Sequence, residues 1–296
     1  MAEKKLSFAI FGNTSKAFNT PQIVEILDYL KAREADIYIE QNFYHVLLKE
    51  LKKDFSIAGL FEGGNFDVDY VISLGGDGTF LRAAGRVGAK QIPIIGVNMG
   101  RLGFLANVTL EAVRDVLDNV YDGKFEIEER AVIQLEADGV TLENCPFALN
   151  DIAILKRDNA AMISIKTSVN GKYLVTYLAD GLVISTPTGS TAYSLSVGGP
   201  IIVPQSGILS MTPVAPHSLN IRPIVISDEA EIKLEVQSRS HNFLAAVDGR
   251  SEKLSEGVTL KITKARHTVH IVRVEGQQFF STLREKLMWG VDTRQI

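Results

Sequence analysis

From residue 8 to about residue 120, unbroken apolar runs alternate with amphipathic stripes, and few folds satisfy that rhythm. Phe8-Ala9-Ile10-Phe11, Ile37-Tyr38-Ile39, Tyr70-Val71-Ile72-Ser73-Leu74 and Pro93-Ile94-Ile95-Gly96-Val97 have strand length and no polar face. Between them, Ile23, Ile26, Leu27 and Leu30 share one helical face, with Thr20 as cap and Pro21 at the first helical position. Phe43, Val46, Leu47 and Leu51 make a second stripe, and Leu81, Ala84 and Val87 a third. Leu110, Val113, Val116, Leu117 and Val120 make a fourth, with Thr109 placed to cap it. Strands that are apolar on both sides, separated by such helices, predict a parallel sheet covered on both faces.

Beyond about residue 123 the period falls to two. Glu231-Ile232-Lys233-Leu234-Glu235-Val236 and Val258-Thr259-Leu260-Lys261-Ile262 alternate as half-buried antiparallel strands should. Asp138-Gly139, Asn170-Gly171 and Asp248-Gly249 supply hairpin turns. The expectation is an α/β domain over residues 1–123 and an all-β, sandwich-like domain over 124–276. Residues 277–296 are expected to pack back on the first domain, with a helix from Phe279 to Trp289.

The chain has 296 residues, enough for two cores, and its formal charge of −4 offers no polyanion-binding surface. Nucleic acid is therefore not an expected partner. Cys145 is the only cysteine, which excludes an intrachain disulfide and fits a reducing cytoplasm. His45, His217, His241, His267 and His270 show no zinc-type spacing with it. The start, Met1-Ala2-Glu3-Lys4-Lys5-Leu6, has no apolar leader, and no run approaches a membrane span. A cytoplasmic protein is expected.

Three segments carry chemistry. Gly75-Gly76-Asp77-Gly78-Thr79 follows the strand at 70–74. Three glycines bring bare backbone N–H groups toward an anion, and the carboxylate of Asp77 can accept a proton or hold a metal ion. A tight turn and a favourable helix-dipole position for Asp77 are the structural alternatives. The loop is neither a P-loop nor the dinucleotide fingerprint. The second segment runs from Asp180-Gly181 through Ser185-Thr186-Pro187-Thr188-Gly189-Ser190-Thr191-Ala192-Tyr193-Ser194-Leu195-Ser196 to Gly198-Gly199-Pro200. Its crowded hydroxyls suit ribose or phosphate, or else cap their own loop. In the third, Asn150-Asp151 interrupts the apolar run from Phe147 to Leu155. The pair suits an adenine edge and ribose hydroxyls, or else a bulge.

Together these segments resemble the NAD kinase family. The match extends to Asn98-Met99-Gly100-Arg101-Leu102-Gly103-Phe104-Leu105 and to Pro216-His217-Ser218-Leu219 with Arg222-Pro223. The segment at 185–193 is the most specific part, because lipid kinases and phosphofructokinases carry similar glycine loops. The resemblance implies NAD bound between an α/β and a β-rich domain, in a homodimer or homotetramer. It implies ATP or polyphosphate as donor, with Mg²⁺ or another divalent cation accompanying the nucleotide and no protein metal ligand assigned. It makes Asp77 the acceptor of the proton from the adenosine 2′-hydroxyl, with Gly75, Gly76, Gly78 and Thr79 as the phosphate loop. Arg82 falls near the new phosphate.

Phe104, Asn150, Asp151, Thr188, Thr191 and Ala192 match dinucleotide-contacting positions, as do Tyr193, Ser194, Leu195 and Ser196. Asp180 falls near the nicotinamide, and Ala215 against the dinucleotide of a neighbouring subunit. Three positions depart from the pattern. Asp151 stands where many relatives have Glu. Leu178 stands where some have Arg, which bears on the choice between NAD and NADH, and Arg250 stands where Gln is common. A lipid kinase and a non-catalytic NADP sensor are the competing expectations.

Overall fold

Apolar runs without a polar face do become the strands of a parallel sheet. The computed structural model describes residues 5–14, 20–51, 55–100, 103–157, 161–274 and 279–290. In chain order the elements begin with β1 (Ser7–Gly12), α1 (Thr20–Ala32), β2 (Asp36–Glu40), α2 (Gln41–Leu51) and β3 (Gly59–Phe61). They continue with β4 (Tyr70–Gly75), α3 (Asp77–Val87), β5 (Ile94–Asn98), α4 (Val113–Tyr121), β6 (Glu126–Arg130) and β7 (Ile133–Ala137). Then come β8 (Phe147–Ala148), β9 (Asp151–Lys156), β10 (Ile163–Val169), β11 (Lys172–Ala179), β12 (Gly181–Ser185) and the short α5 (Tyr193–Ser196). The rest are β13 (Ile208–Val214), β14 (Ile224–Ser227), β15 (Ile232–Gln237), β16 (Asn242–Val247), β17 (Arg250–Ser255), β18 (Thr259–Lys264), β19 (Val269–Arg273) and α6 (Phe279–Leu287).

These residues divide into two units, one within Met1–Glu129 and Val269–Ile296, the other within Arg130–Thr268. The divisions lie at 129/130 and 268/269, whereas the sequence pattern suggested 123/124 and 276/277. The cause is pairing: β6 and β19 both join the sheet of the first unit.

In the first unit the strand order is β3-β2-β1-β4-β5-β19-β6. The ladders β2–β3, β1–β2, β1–β4, β4–β5 and β5–β19 are parallel. The chain moves outward from β1 through β2 to β3, then restarts at β4 on the other side of β1. The carboxyl ends of β1 and β4 therefore form a topological switch point, where open α/β sheets place their ligands. Phe8, Ile10, Ile23, Leu30, Phe43 and Leu47 are fully or almost fully buried in the core of this unit. Each such side chain contributes about 1.5–3 kcal/mol by leaving water. The C-terminal helix returns to this unit, with the ring of Phe279 6.3 Å from that of Phe104.

Two local expectations change. The helix expected from Thr109 starts at Val113. Thr109 instead hydrogen-bonds the Glu111 carboxylate, and its carbonyl accepts the Ala112 N–H, so a separate turn precedes α4. In α3 the face turned to the sheet is Phe80, Ala83, Ala84 and Val87, leaving Leu81 half-buried. Spacings of three, four and seven from Phe80 make that stripe the continuous one. The side chain of Thr20, expected as a cap, and Arg101 and Leu102 lie outside the described residues, as do parts of 1–6 and 277–296.

The second unit is a pair of antiparallel sheets, ordered β11-β10-β15-β18-β7-β8 and β14-β13-β12-β9-β16-β17. One buried cluster takes Ile133, Ile165 and Leu234 from the first sheet and Ile154, Leu182 and Phe243 from the second. That is the core of a sandwich. Two Asx-Gly dipeptides sit at tight hairpins: Asn170 and Gly171 at φ of 50° and 73°, Asp248 and Gly249 at 47° and 77°. Both pairs have the signs a type I′ turn demands. The outer face of the second sheet is also covered, by Val197 against Ala153, Val183 and Ala246.

Candidate active site

In the first unit, Asp77 opens α3 immediately beyond β4, at the switch point. Its carboxylate is turned onto the segment after β5. Oδ1 accepts the N–H groups of Leu105 and Ala106, each at 3.0 Å, and Oδ2 accepts that of Phe104 at 3.0 Å. Lys286, on α6, brings its ammonium to 3.5 Å from Oδ2. A Cβ on Gly103 would lie 2.1 Å from Oδ1, so only glycine leaves room for this seat. Asn98 braces the segment: its Nδ2 donates to the Ala106 carbonyl at 3.1 Å, and its Oδ1 accepts the Gly100 N–H at 2.7 Å. A carboxylate offers about four acceptor positions. The three N–H bonds leave the fourth position, on Oδ2, to the Lys286 ammonium.

The glycine loop uses its missing side chains differently from the expected sharp turn. Among the described residues, Gly75, Gly76 and Gly78 are absent from the left-handed backbone region. A Cβ on Gly75 would strike the Thr79 side chain, but at Gly76 and Gly78 it would meet nothing within 4 Å. Neither packing nor conformation demands glycine at those two positions. What their bareness leaves open is a cavity of about 330 Å³, lined by Asn13, Thr14, Gly76, Gly78, Thr79 and Arg82. It lies at the start of α3, where the helix dipole and free N–H groups favour an anion. Arg82 borders the cavity but is already engaged, donating to both Glu40 oxygens at 2.6 and 2.5 Å and to the Gly12 carbonyl at 2.5 Å.

In the second unit, Asn150 and Asp151 stand at the break between β8 and β9. Asp248, in the β16–β17 turn, clamps that break. Its carboxylate accepts the N–H groups of Leu149 and Asn150 at 2.8 Å each and of Asp151 at 3.2 Å. From the other side the Thr186 hydroxyl donates to the Leu149 carbonyl at 2.6 Å, and the Thr186 N–H donates to the Asn150 carbonyl at 2.9 Å. Gly189 packs so closely that a Cβ would lie 2.1 Å from the Asn150 carbonyl oxygen. Burial, and after it the charge of Asp248, pushes the Asp151 carboxyl up to about 7. Burial also pushes Asp248 up, against the three N–H bonds.

The hydroxyl-rich segment divides into two classes. Ser185, Thr186, Ser190 and Ser194 are fully buried. Their hydroxyls serve the loop itself; Ser190, for example, donates to the Pro187 carbonyl at 2.7 Å and accepts the Ile202 N–H at 3.0 Å. The hydroxyl of Ser194 faces that of Thr212 at 3.4 Å. Thr191, Ala192 and Leu195 are half-buried, while Tyr193 and Ser196 are exposed. Burial, then the nearby charges of Asp151 and Asp180, push the Tyr193 hydroxyl upward, which brings these three side chains into one neighbourhood. Asp180 is paired with Lys156 at 2.7 Å, and Thr188 accepts a bond at 3.1 Å from the buried Arg130. Ala215 is exposed at φ 42°, a left-handed conformation uncommon for alanine. Arg250 donates to the carbonyls of Val247 and Phe147, at 3.1 Å each.

Sequence reasoning missed Lys286, Gly103 and the clamp by Asp248. Gly103 stood within the matched segment from Asn98 to Leu105 without a role, and Asp248 in an Asp-Gly dipeptide taken for a turn alone. No helix is long and apolar enough to cross a membrane among the described residues.

A carboxylate beside an anion cradle at a switch point defines a phosphotransferase acting on an alcohol. Comparison with known proteins agrees. Residues 8–125 match the ATP-NAD kinase N-terminal domain, and residues 149–274 match the ATP-NAD kinase C-terminal domain. The NAD kinase of Bacteroides fragilis is 54% identical over 289 residues, covering 98% of this chain and 100% of that protein. The NAD kinase of Porphyromonas gingivalis is 43% identical, covering 97% and 99%. Yeast NADH kinase, solved with NADH, aligns with a TM-score of 0.87 at 23% identity, over 100% of this chain and 91% of that one. An Archaeoglobus fulgidus NAD kinase solved with ATP gives 0.72 at 24%, over 96% and 99%. The chain belongs to the NAD kinase family.

Proposed function

We propose that this enzyme transfers the γ-phosphoryl group of ATP to the 2′-hydroxyl of the adenosine ribose of NAD, giving NADP, with Asp77 as proton acceptor. The observation that carries the assignment is the seat of Asp77 between the bare Gly76 and Gly78, its carboxylate held by three N–H bonds and, at 3.5 Å, by Lys286. The hydroxyl oxygen attacks the γ-phosphorus as the bond to the β–γ bridging oxygen breaks. The electron pair leaves with ADP, and the hydroxyl proton passes to Oδ2. Transfer through a loose transition state rests on alignment and charge stabilisation, with proton removal late. The N–H groups at Gly76 and Gly78 and the start of α3 are assigned to the donor phosphate oxygens.

Asn150, Asp151, Tyr193 and Asp180 are assigned to the dinucleotide, with Thr188, Thr191, Ala192 and Ser196 lining its path. Phe104 offers a ring to the adenosine end. Ser194 and Leu195 are assigned to the same dinucleotide-binding segment. Ala215 is assigned to a neighbouring subunit's dinucleotide in a cytoplasmic homodimer or homotetramer. For the divalent cation, the described residues contain no converging group of three His, Cys, Asp or Glu side chains. Mg²⁺ is assigned to the donor phosphates, where it would neutralise their charge.

The test is direct. Purified protein is mixed with NAD, ATP and Mg²⁺, and NADP is detected with an NADP-specific dehydrogenase. No NADP from either ATP or polyphosphate would refute the assignment. A second prediction follows from the open space at the glycine loop. Gly78→Ala should fold as stably as the parent, because its Cβ meets no atom. Its methyl group enters the donor's space, so kcat/KM for ATP should fall by about tenfold or more. Unchanged ATP kinetics would remove the cradle from the mechanism.

A further inference from the structure

We infer that Lys286, on the C-terminal helix, is a positioning residue that acts through Asp77. Two contacts tie it there. Its ammonium lies 3.5 Å from Asp77 Oδ2, the oxygen that otherwise accepts a single N–H. It also lies 4.7 Å from the centre of the Phe104 ring, so the same side chain rests on the residue whose N–H binds Oδ2. Phe279, one end of the same helix, meets the Phe104 ring as well. The helix thus reaches the seat of the carboxylate at two places.

The charge balance explains why a cation is needed. Asp77 lies between Gly76 and Gly78, which line a cavity suited to a polyanion, and a bare carboxylate there would repel the arriving phosphoryl group. Arg82 does not correct this by itself, because Glu40 holds it through both oxygens. Counting Arg82, Glu40, Asp77 and Lys286, the group is neutral; without Lys286 it is net negative. The ammonium also adds a second contact to Oδ2, which otherwise accepts only the N–H of Phe104. Lys286 is about one-third exposed, so it can adjust as substrates enter without being dragged from a buried pocket.

This role rests on Asp77 being the proton acceptor, and the experiment separates the two. Lys286→Met keeps the apolar stem over Phe104 and removes the charge, while Lys286→Arg keeps the charge. The Met variant should melt at the parent's temperature and lose about tenfold in kcat, with KM for NAD little changed. The Arg variant should recover most of that loss. In an Asp77→Asn background, Lys286→Met should cost nothing further, since the group it acts through is gone. Normal kcat in Lys286→Met, an Arg variant as impaired as the Met variant, or an equal loss in both backgrounds would each overturn the role. If Asp77→Asn itself turns over normally, the proton-acceptor reading falls instead, whatever Lys286 does.

Discussion

Asp77→Asn is expected to lose at least about 10²-fold in turnover, the lower end of what general-base catalysis contributes. The substituted chain should still fold and bind the dinucleotide. The geometry sets the cost to stability. An asparagine oxygen in the Oδ1 position keeps the N–H bonds from Leu105 and Ala106. Its amide NH₂ then faces the Phe104 N–H and the Lys286 ammonium, donor against donor. One half-buried unsatisfied pair should cost about 1–3 kcal/mol, a loss of a few degrees in Tm rather than of the fold. Turnover within a few-fold of the parent would show that the proton leaves by another route. A collapse in stability far beyond that range would show that the carboxylate is chiefly a structural brace.

For Asp151→Asn the expected result concerns pH. The Asp151 carboxyl is raised to about 7 in the folded chain, by burial first and by Asp248 second. An aspartate in the unfolded chain ionises near 4. Below pH 4 both states hold the proton, and the native state suffers no penalty. As pH rises from about 4 to about 7, the unfolded chain gives up its proton first, so stability falls across that window and levels off above it. Asparagine cannot ionise, so the decline should be missing from the variant. At pH 8 the variant should be more stable than the parent by about 4 kcal/mol, or roughly ten degrees in Tm, and the gap should vanish near pH 4. Thermal unfolding at a series of pH values gives both curves. A gap independent of pH would mean that Asp151 is not the group carrying the titration.

How far the sequence foretold the structure depended on the range of the cause. The strands at 8–11, 37–39, 70–74 and 93–97 and their helices were legible, because periodicity is local and burial enforces it. So were the Asn170-Gly171 and Asp248-Gly249 hairpins, whose backbone sign only a few residues tolerate. The start of α4 was not, because Thr109 had a competing partner in Glu111 two residues on. The glycine loop was found for a partly mistaken reason: bareness at Gly76 and Gly78 leaves space rather than permitting a turn. The hydroxyl-rich segment could not be sorted into buried and open members, since Ser194 and Thr212 meet across 18 residues. The Asp248 clamp spans 97–99 residues and Lys286 reaches Asp77 across 209. No local rule anticipates such pairings.

One arrangement governs how the chain is made. In the first sheet, β19 lies between β5 and β6, although β6 leaves the ribosome almost 140 residues earlier. At about 5–20 residues per second, β6 waits many seconds for the neighbour beside which it must settle. The second unit, uninterrupted in sequence, is complete before that neighbour appears. A nascent chain short of residue 269 would therefore carry the glycine loop and Asp77 but lack β19 and Lys286, leaving the sheet and the seat of Asp77 unfinished until those residues emerge.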